Sequence, residues 1–186
     1  LECGLIKQEG LETATGGRPS AIFSINEDGF YTVGVELSHA NIHVLICDAL
    51  LEPLWIADFA IVDKSTPDDV FSKVFTALES NLAEVVTDRR RLLGIGIGSV
   101  GPLDLERGMM LNASSFPNPG WRNLNLRSLF EDRFDVPVYI SNGASAAAMC
   151  EYVRYVTSDI HSLVFFNVGV SVRCGVISSD TLLTGD

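Results

Sequence analysis

Three features of the sequence predict an α/β fold. β-rich runs succeed one another from Tyr31 (YTVGVEL, NIHVLICD, LWIADFAIVD), a strongly signalled amphipathic helix follows them, and strand-like and helix-like segments then alternate. The expected product is three antiparallel strands followed by helix, strand, helix, strand and helix. That order makes half of a ribonuclease-H-like lobe.

Each element has its own warrant. Ser38-His39-Ala40 separates the first two runs and reads as a hairpin turn. In STPDDVFSKVFTALESNLAEVV, Thr66 can cap a helix, Pro67 suits its first position, and Asp68 and Asp69 favour the positive end of its dipole. Val70, Val74, Leu78 and Leu82, with Phe71 and Phe75 beside them, form one apolar face at helical spacing. LLGIGIGSV reads as a buried strand whose glycines allow close backbone approach. GPLDLERGMMLNASSFPNPGWRN is a long turn-rich segment, a class usually reserved for binding loops or disorder; Phe116 and Trp121 argue for order. LNLRSLFEDRF is a short amphipathic helix, VPVYI a strand, and SNGASAAAMCE opens the next helix at Gly143. SLVFFNVG and VRCGVISSD form a second strand pair, after which the chain reaches TLLTGD.

The first 29 residues differ in character. GLIKQEG and RPSAIFSIN are extended runs around the breaker pair Gly16-Gly17, which predicts a hairpin. A lone two-stranded hairpin is marginal in water, so this opening is expected to belong to another domain. The expected division is 1–29 as that remnant, 30–158 as the first lobe, and 159–186 as the start of an incomplete second lobe.

Composition narrows the functional classes. The chain of 186 residues is 47% hydrophobic and 20% charged, which suits one domain with a substantial core. No run approaches the roughly 18 apolar residues of a membrane span, and no signal peptide is apparent. Cys3, Cys47, Cys150 and Cys174 are spaced neither for zinc nor for a disulfide framework, so reduced thiols in a cytoplasmic protein are expected. A formal charge of −11 repels phosphate backbones and argues against nucleic-acid binding by electrostatics alone.

GIGIGSVGPLDLERG, FPNPGW, VPVYISNGASAAAMCE and FFNVGVSVRCGVI, in that order and spacing, resemble the ROK family (repressor, open reading frame, kinase). These are actin-like sugar kinases and the sugar-sensing transcription regulators derived from them. The resemblance covers nearly the whole chain and implies an actin-like ATPase fold. It also implies that residues 1–29 are the wing of a winged helix-turn-helix and its linker.

The departures from the family pattern point away from catalysis. Family kinases open with an Asp and a glycine-rich turn that meets ATP phosphates. Here the matching stretch is VELSHANIHV, with Glu36 at the Asp position and Ser38, His39 and Ala40 in the turn. The second phosphate loop of the kinases, Gly-Thr-Gly-x-Gly-Gly, is matched by the run from Asn167 to Arg173, which keeps only Gly169 and a hydroxyl at Ser171. The kinases' Asn-Asp-Ala, whose Asp takes the proton from the attacking sugar hydroxyl, is here Asn142-Gly143-Ala144. A general base contributes about 10²–10⁴ in rate, and glycine cannot supply one. The expectation is no catalytic residue, no cofactor and no metal, with Glu36, Ser38, Gly169 and Ser171 as phosphate-loop remnants.

What the resemblance leaves is binding. Gly101, Asn118, Asn142 and Gly143 fall at its sugar-binding positions, Gly101-Pro102 forming a cleft wall. The implied protein is a sugar-sensing regulator whose effector is a small sugar. It meets operator DNA only in the intact molecule, through a helix-turn-helix that this chain does not hold, and assembles as a homo-oligomer without a membrane partner. The rival expectation is an active kinase of a hexose or N-acetylhexosamine. Simpler roles are also assigned: Asn142 can cap the helix after it, and Trp121 reads as a core plug under the long loop. His39 and His43 read as solvated turn or strand residues, His161 as a lone residue at a strand start, and Arg89 to Arg91 as a solvated connection.

Overall fold

The computed structural model describes residues 4–12, 20–112, 116, 119–155, 157, 159–169 and 171–184. Cys3, Gly16, Gly17 and Asn118 lie outside them. The opening runs form β1 (Ile6–Glu12) and β2 (Ser20–Ile25), paired antiparallel with a register shift between Gln8 and Gly10. The next three are β3 (Tyr31–Leu37), β4 (Asn41–Cys47) and β5 (Pro53–Ala60). A 19-residue helix α1 (Pro67–Val85) leads to β6 (Leu92–Ser99). Farther on come α2 (Leu126–Phe134), β10 (Val138–Asn142) and α3 (Gly143–Tyr155).

The central sheet has the order β10-β6-β3-β4-β5, with β3, β4 and β5 antiparallel and β6 and β10 parallel to β3. Short turns force the antiparallel pairs, and the crossovers through α1 and α2 deliver parallel strands. Alternate residues such as Val33, Val35, Leu37, Ile42, Val44, Ile46, Ile95 and Ile97 turn to one face and are buried. There they meet α1 and α2 in a single core in which Phe71, Phe75, Phe130 and Phe134 pack ring against ring. α1 starts as its sequence dictates: Thr66 Oγ1 accepts from the Asp69 amide, and Asp69 Oδ2 accepts from the Thr66 amide, closing a capping box.

The long loop is more structured than its turn-rich sequence suggests. It holds β7 (Leu103–Asp104) and β8 (Met109–Met110), which form a small antiparallel sheet with β9 (Leu124–Asn125), the first two residues of the run read as helix, so α2 begins only at Leu126. Its tight turn needs Gly108, whose φ is +72° and where a Cβ would lie 2.4 Å from Arg127 Cβ. Arg127 clamps that turn, donating to the carbonyls of Glu106 (2.6 Å) and Leu105 (2.9 Å). Trp121 is the expected plug: it is fully buried, stacks on Phe116 with centroids 4.9 Å apart, and donates from Nε1 to the Ser65 carbonyl at 2.9 Å.

The final segment departs from a strand pair. β11 (Leu163–Val168) and β12 (Val172–Ser178) are joined by β13 (Thr181–Leu183), so the sheet has three strands. TLL was too short to carry a period-2 signal of its own. This sheet rests on α3, where Ala148, Tyr152 and Ile177 form a second small core with Leu163, Phe165 and Leu182. Gly175 sets the approach: a Cβ there would lie 2.3 Å from the Ala144 carbonyl oxygen and 2.6 Å from Ala148 Cβ.

Candidate functional site

The second face of the central sheet builds the site. Strand register places Asp58, His43, Glu36, Gly98 and Ser141 side by side in one row across the sheet. The neighbouring row is Ile56, Leu45, Gly34, Gly96 and Tyr139. α3 covers the β6–β10 end, where a Cβ on Gly98 would stand 3.6 Å from Ala146 Cβ and from the Gly143 Cα. A cleft of about 680 Å³ remains between this face, α3 and the β11–β12 hairpin. Its apolar lining includes glycines, alanines, Leu45, Ile140 and Phe165, and its polar lining includes Glu36, Asn167 and Arg173.

A smaller recess of about 360 Å³ opens where β10 runs into α3. Ser141, Asn142, Ser145, Arg173, Cys174 and Thr184 line it between Leu105 and Leu183. Ser141 and Arg173 also line the larger cleft, so the two spaces share a wall. Asn142 caps α3, its Oδ1 accepting from the Ala144 amide at 3.0 Å. Gly101 is its neighbour: a Cβ there would lie 3.7 Å from Asn142 Nδ2.

The predicted sugar residues therefore divide. Gly101 and Asn142 come together; Gly143 faces the larger cleft instead of the recess. A Cβ on Gly143 would meet only the Ser99 carbonyl oxygen, at 3.8 Å. Packing thus leaves room for a side chain at this position.

Both hairpins that match phosphate loops use their polar groups on themselves. Ser38 Oγ accepts from the amides of Ala40 (3.3 Å) and Asn41 (3.0 Å) and donates to the Asn41 carbonyl, while the Ser38 amide donates to that carbonyl at 2.9 Å. In the β11–β12 turn the Gly169 amide donates to the Ser171 carbonyl at 3.2 Å, and Ser171 Oγ accepts from Arg173 Nε at 3.0 Å. A phosphate cradle needs several backbone N–H groups converging on open space, and here the amides of Ser38, Ala40, Asn41 and Gly169 are already occupied. Of Glu36, Ser38, Gly169 and Ser171, expected as phosphate-loop remnants, only Glu36 lines either of these two cavities.

The histidines are less isolated than the sequence suggests. His161, expected to stand alone, approaches Asp180 with Nδ1 at 3.0 Å, and the same carboxylate accepts from the Tyr152 hydroxyl. Those two contacts hold the Asp180 carboxyl below its ordinary range, the tyrosine hydrogen bond being the larger cause. Sequence spacing hides this cluster because its members come from α3, the segment before β11 and the β12–β13 turn. His43 pairs with Asp58 across the β4–β5 ladder. The arginine run is internally engaged: Arg90 pairs with Asp88, Arg91 donates to the Asp28 carbonyl, and Arg89 lies over the Phe134 ring.

Arg173 is the site residue that sequence reasoning passed over. It ends the run from Asn167 to Arg173, and only the folding of β12 beside α3 brings its guanidinium to the wall of both cavities. Among the described residues no group of His, Cys, Asp and Glu could hold a metal ion, and no helix is long and apolar enough to cross a membrane. The described cysteines, Cys47, Cys150 and Cys174, are free.

A mixed sheet with this strand order, flanked by a second sheet across a cleft, is the first half of an actin-like sugar-kinase fold. The ROK family model matches residues 32–186, and the chain belongs to that family. The chain is 27% identical over 182 residues to the xylose repressor of Caldicellulosiruptor bescii, matching 98% of this chain and 45% of that protein. The solved structure of a ROK family transcriptional regulator, a homologue of the E. coli MLC protein, superposes with a TM-score of 0.76 at 20% identity. It covers 99% of this chain and 46% of its own. A ROK family glucokinase from Streptomyces griseus, solved with glucose and AMPPNP, gives 0.64 at 24% identity, covering 84% of this chain and 47% of its own. The chain thus spans about half the length of these relatives.

Proposed function

We propose that the chain is the opening part of the sugar-sensing effector domain of a ROK transcriptional regulator that has lost kinase chemistry. The observation that carries this reading is the extent of the likeness. Repressor and regulator match 98% and 99% of the chain, N-terminal hairpin included, whereas the glucokinase structure covers 84%. On this reading residues 1–29 are the wing and linker that join a DNA-binding domain to the effector lobe at 30–158, and 159–186 begin the second lobe. Gly101, Asn118, Asn142 and Gly143 mark the sugar side of the cleft. Glu36, Ser38, Gly169 and Ser171 are the remains of phosphate loops.

The chemistry is consistent with loss of catalysis. Phosphoryl transfer to a sugar hydroxyl needs a base within hydrogen-bond reach and a cradle for the phosphates. Gly143 offers no acceptor, and both hairpins close on their own donors. A ligand that binds between lobes without being altered can still shift a domain equilibrium and with it operator affinity. The intact protein would be a cytoplasmic homo-oligomer acting on operator DNA.

The test is calorimetry on the full-length protein with xylose, glucose, fructose and N-acetylglucosamine, paired with operator binding in the presence of each. At least one sugar should bind and change operator affinity. Binding by none of them, with operator affinity unmoved, overturns the sensor reading.

A further inference from the structure

We propose that the recess beside Asn142 selects an anionic polyol, a sugar carrying a phosphate or carboxylate group, and that Arg173 is the selecting residue. This deepens the sensor reading above and rests on it.

The lining of the recess carries the argument. Its polar groups are the hydroxyls of Ser141, Ser145 and Thr184, the amide of Asn142 and the guanidinium of Arg173. The hydroxyls and the amide can each donate and accept, which suits the hydroxyls of a polyol. Among the described residues no carboxylate lines this space, and the single formal charge there is positive. An arginine can donate singly to the hydroxyl oxygens of a neutral sugar, but only a phosphate or carboxylate also meets its charge and matches its fork with two parallel hydrogen bonds.

Arg173 is also held ready for such a partner. Its Nε donates to Ser171 Oγ at 3.0 Å, which anchors one edge of the guanidinium and leaves the terminal nitrogens for a ligand. Among the described residues it forms no ion pair, and its terminal nitrogens have no acceptor, whereas the half-buried Arg91 and Arg127 place theirs on backbone carbonyls and Arg90, Arg107 and Arg133 find carboxylates. A half-buried arginine whose terminal nitrogens are unused, at the wall between two cavities, is a group open to an external partner. A recess of about 360 Å³ falls at the small end of ligand pockets, the size of a monosaccharide derivative.

The experiment compares ligands that differ only in charge, on the full-length protein by calorimetry. D-glucose is set against glucose 6-phosphate and D-gluconate, D-xylose against D-xylonate, and inorganic phosphate is run alone. Wild type is measured beside Arg173→Gln and Arg173→Lys, each first checked for an unchanged melting temperature. An anionic member should bind about 10- to 100-fold more tightly than its neutral parent, and more weakly as salt rises. Arg173→Gln should abolish that advantage, and Arg173→Lys should restore part of it, keeping the charge without the fork. Whether phosphate or carboxylate is preferred identifies the oxyanion. Equal or tighter binding of the neutral sugars overturns this inference and leaves the sensor reading standing. A preference that survives Arg173→Gln overturns the role of Arg173, and inorganic phosphate binding as tightly as the sugar phosphate reduces the recess to a simple anion site. Binding of no sugar, charged or neutral, overturns both readings together.

Discussion

On one face of the central sheet Val33, Val44, Ile95 and their neighbours disappear beneath Phe71, Phe130 and Trp121. On the other, the same strands present Gly34, Gly96 and Gly98, while Tyr139 stays 72% exposed and Ile56 63%. The strands contribute equally to both faces; the side chains do not. The first face is packed to hold the fold, and the second is kept small and open where it borders the cleft and the β11–β12 hairpin.

Substitutions on the two faces should therefore differ widely. The largest effect is expected from Phe130→Ala, which removes a fully buried ring touching Phe71, Phe75 and Phe134; it should cost about 3–5 kcal/mol in denaturant unfolding. Tyr139→Ala on the open face should stay within about 0.5 kcal/mol. Comparable losses at both positions would break the contrast.

Next in size is the pair of glycines that α3 meets. Gly175→Ala drives a Cβ into the Ala144 carbonyl and should destabilise by about 1–3 kcal/mol, because β12 must move off α3. Gly143→Asp has room, and its charge lies in the first turn of α3, where a carboxylate is favoured. Its melting temperature should equal or exceed wild type. An unfolded G143D would show that packing, and not chemistry, keeps glycine there.

A smaller loss, about 1 kcal/mol, is expected for Thr66→Ala, which opens the capping box of α1. Thermal unfolding would read it, and an unchanged midpoint would mean that tertiary packing alone places the helix.

How much of this was legible in the sequence follows from the range of the forces involved. Thr66, Pro67 and the apolar stripe of α1 are local signals, and the helix starts where they say. The β3–β4 hairpin and the parallel pair β6–β10 are equally plain, because period and glycine content are local properties. The loop from Gly101 to Asn123 hid its share of a three-stranded sheet, since two-residue strands carry no period and the Arg127 clasp spans some twenty residues. β13 was hidden for the same reason. At the site, Asn142 was legible as a cap and Gly143 as a missing side chain. The sorting of Gly143 and Asn142 into separate cavities was not legible, because it arises where β10 gives way to α3 and the cavities are closed by segments distant in sequence. Arg173 and the Tyr152–Asp180–His161 cluster depend wholly on how distant segments meet.

That cluster supplies the smallest predicted effect. Asp180 is held below its ordinary value first by Tyr152 and then by His161. Its contribution is therefore complete above the ordinary carboxylate range and fades as pH falls through the lowered folded value. Carboxyl NMR titration of Tyr152→Phe should show the Asp180 midpoint moving up toward an unperturbed carboxylate. A midpoint that does not move would mean that the tyrosine contact is absent in solution.

The proposed loss of phosphotransfer is tested most directly by its product. Full-length protein incubated with ATP, magnesium and a panel of hexoses and N-acetylhexosamines, then assayed by mass spectrometry, should yield no phosphosugar above a protein-free control. G143D should be equally silent, since both hairpins still close on their own donors. Steady, sugar-dependent formation of phosphosugar by the wild-type protein would contradict the account.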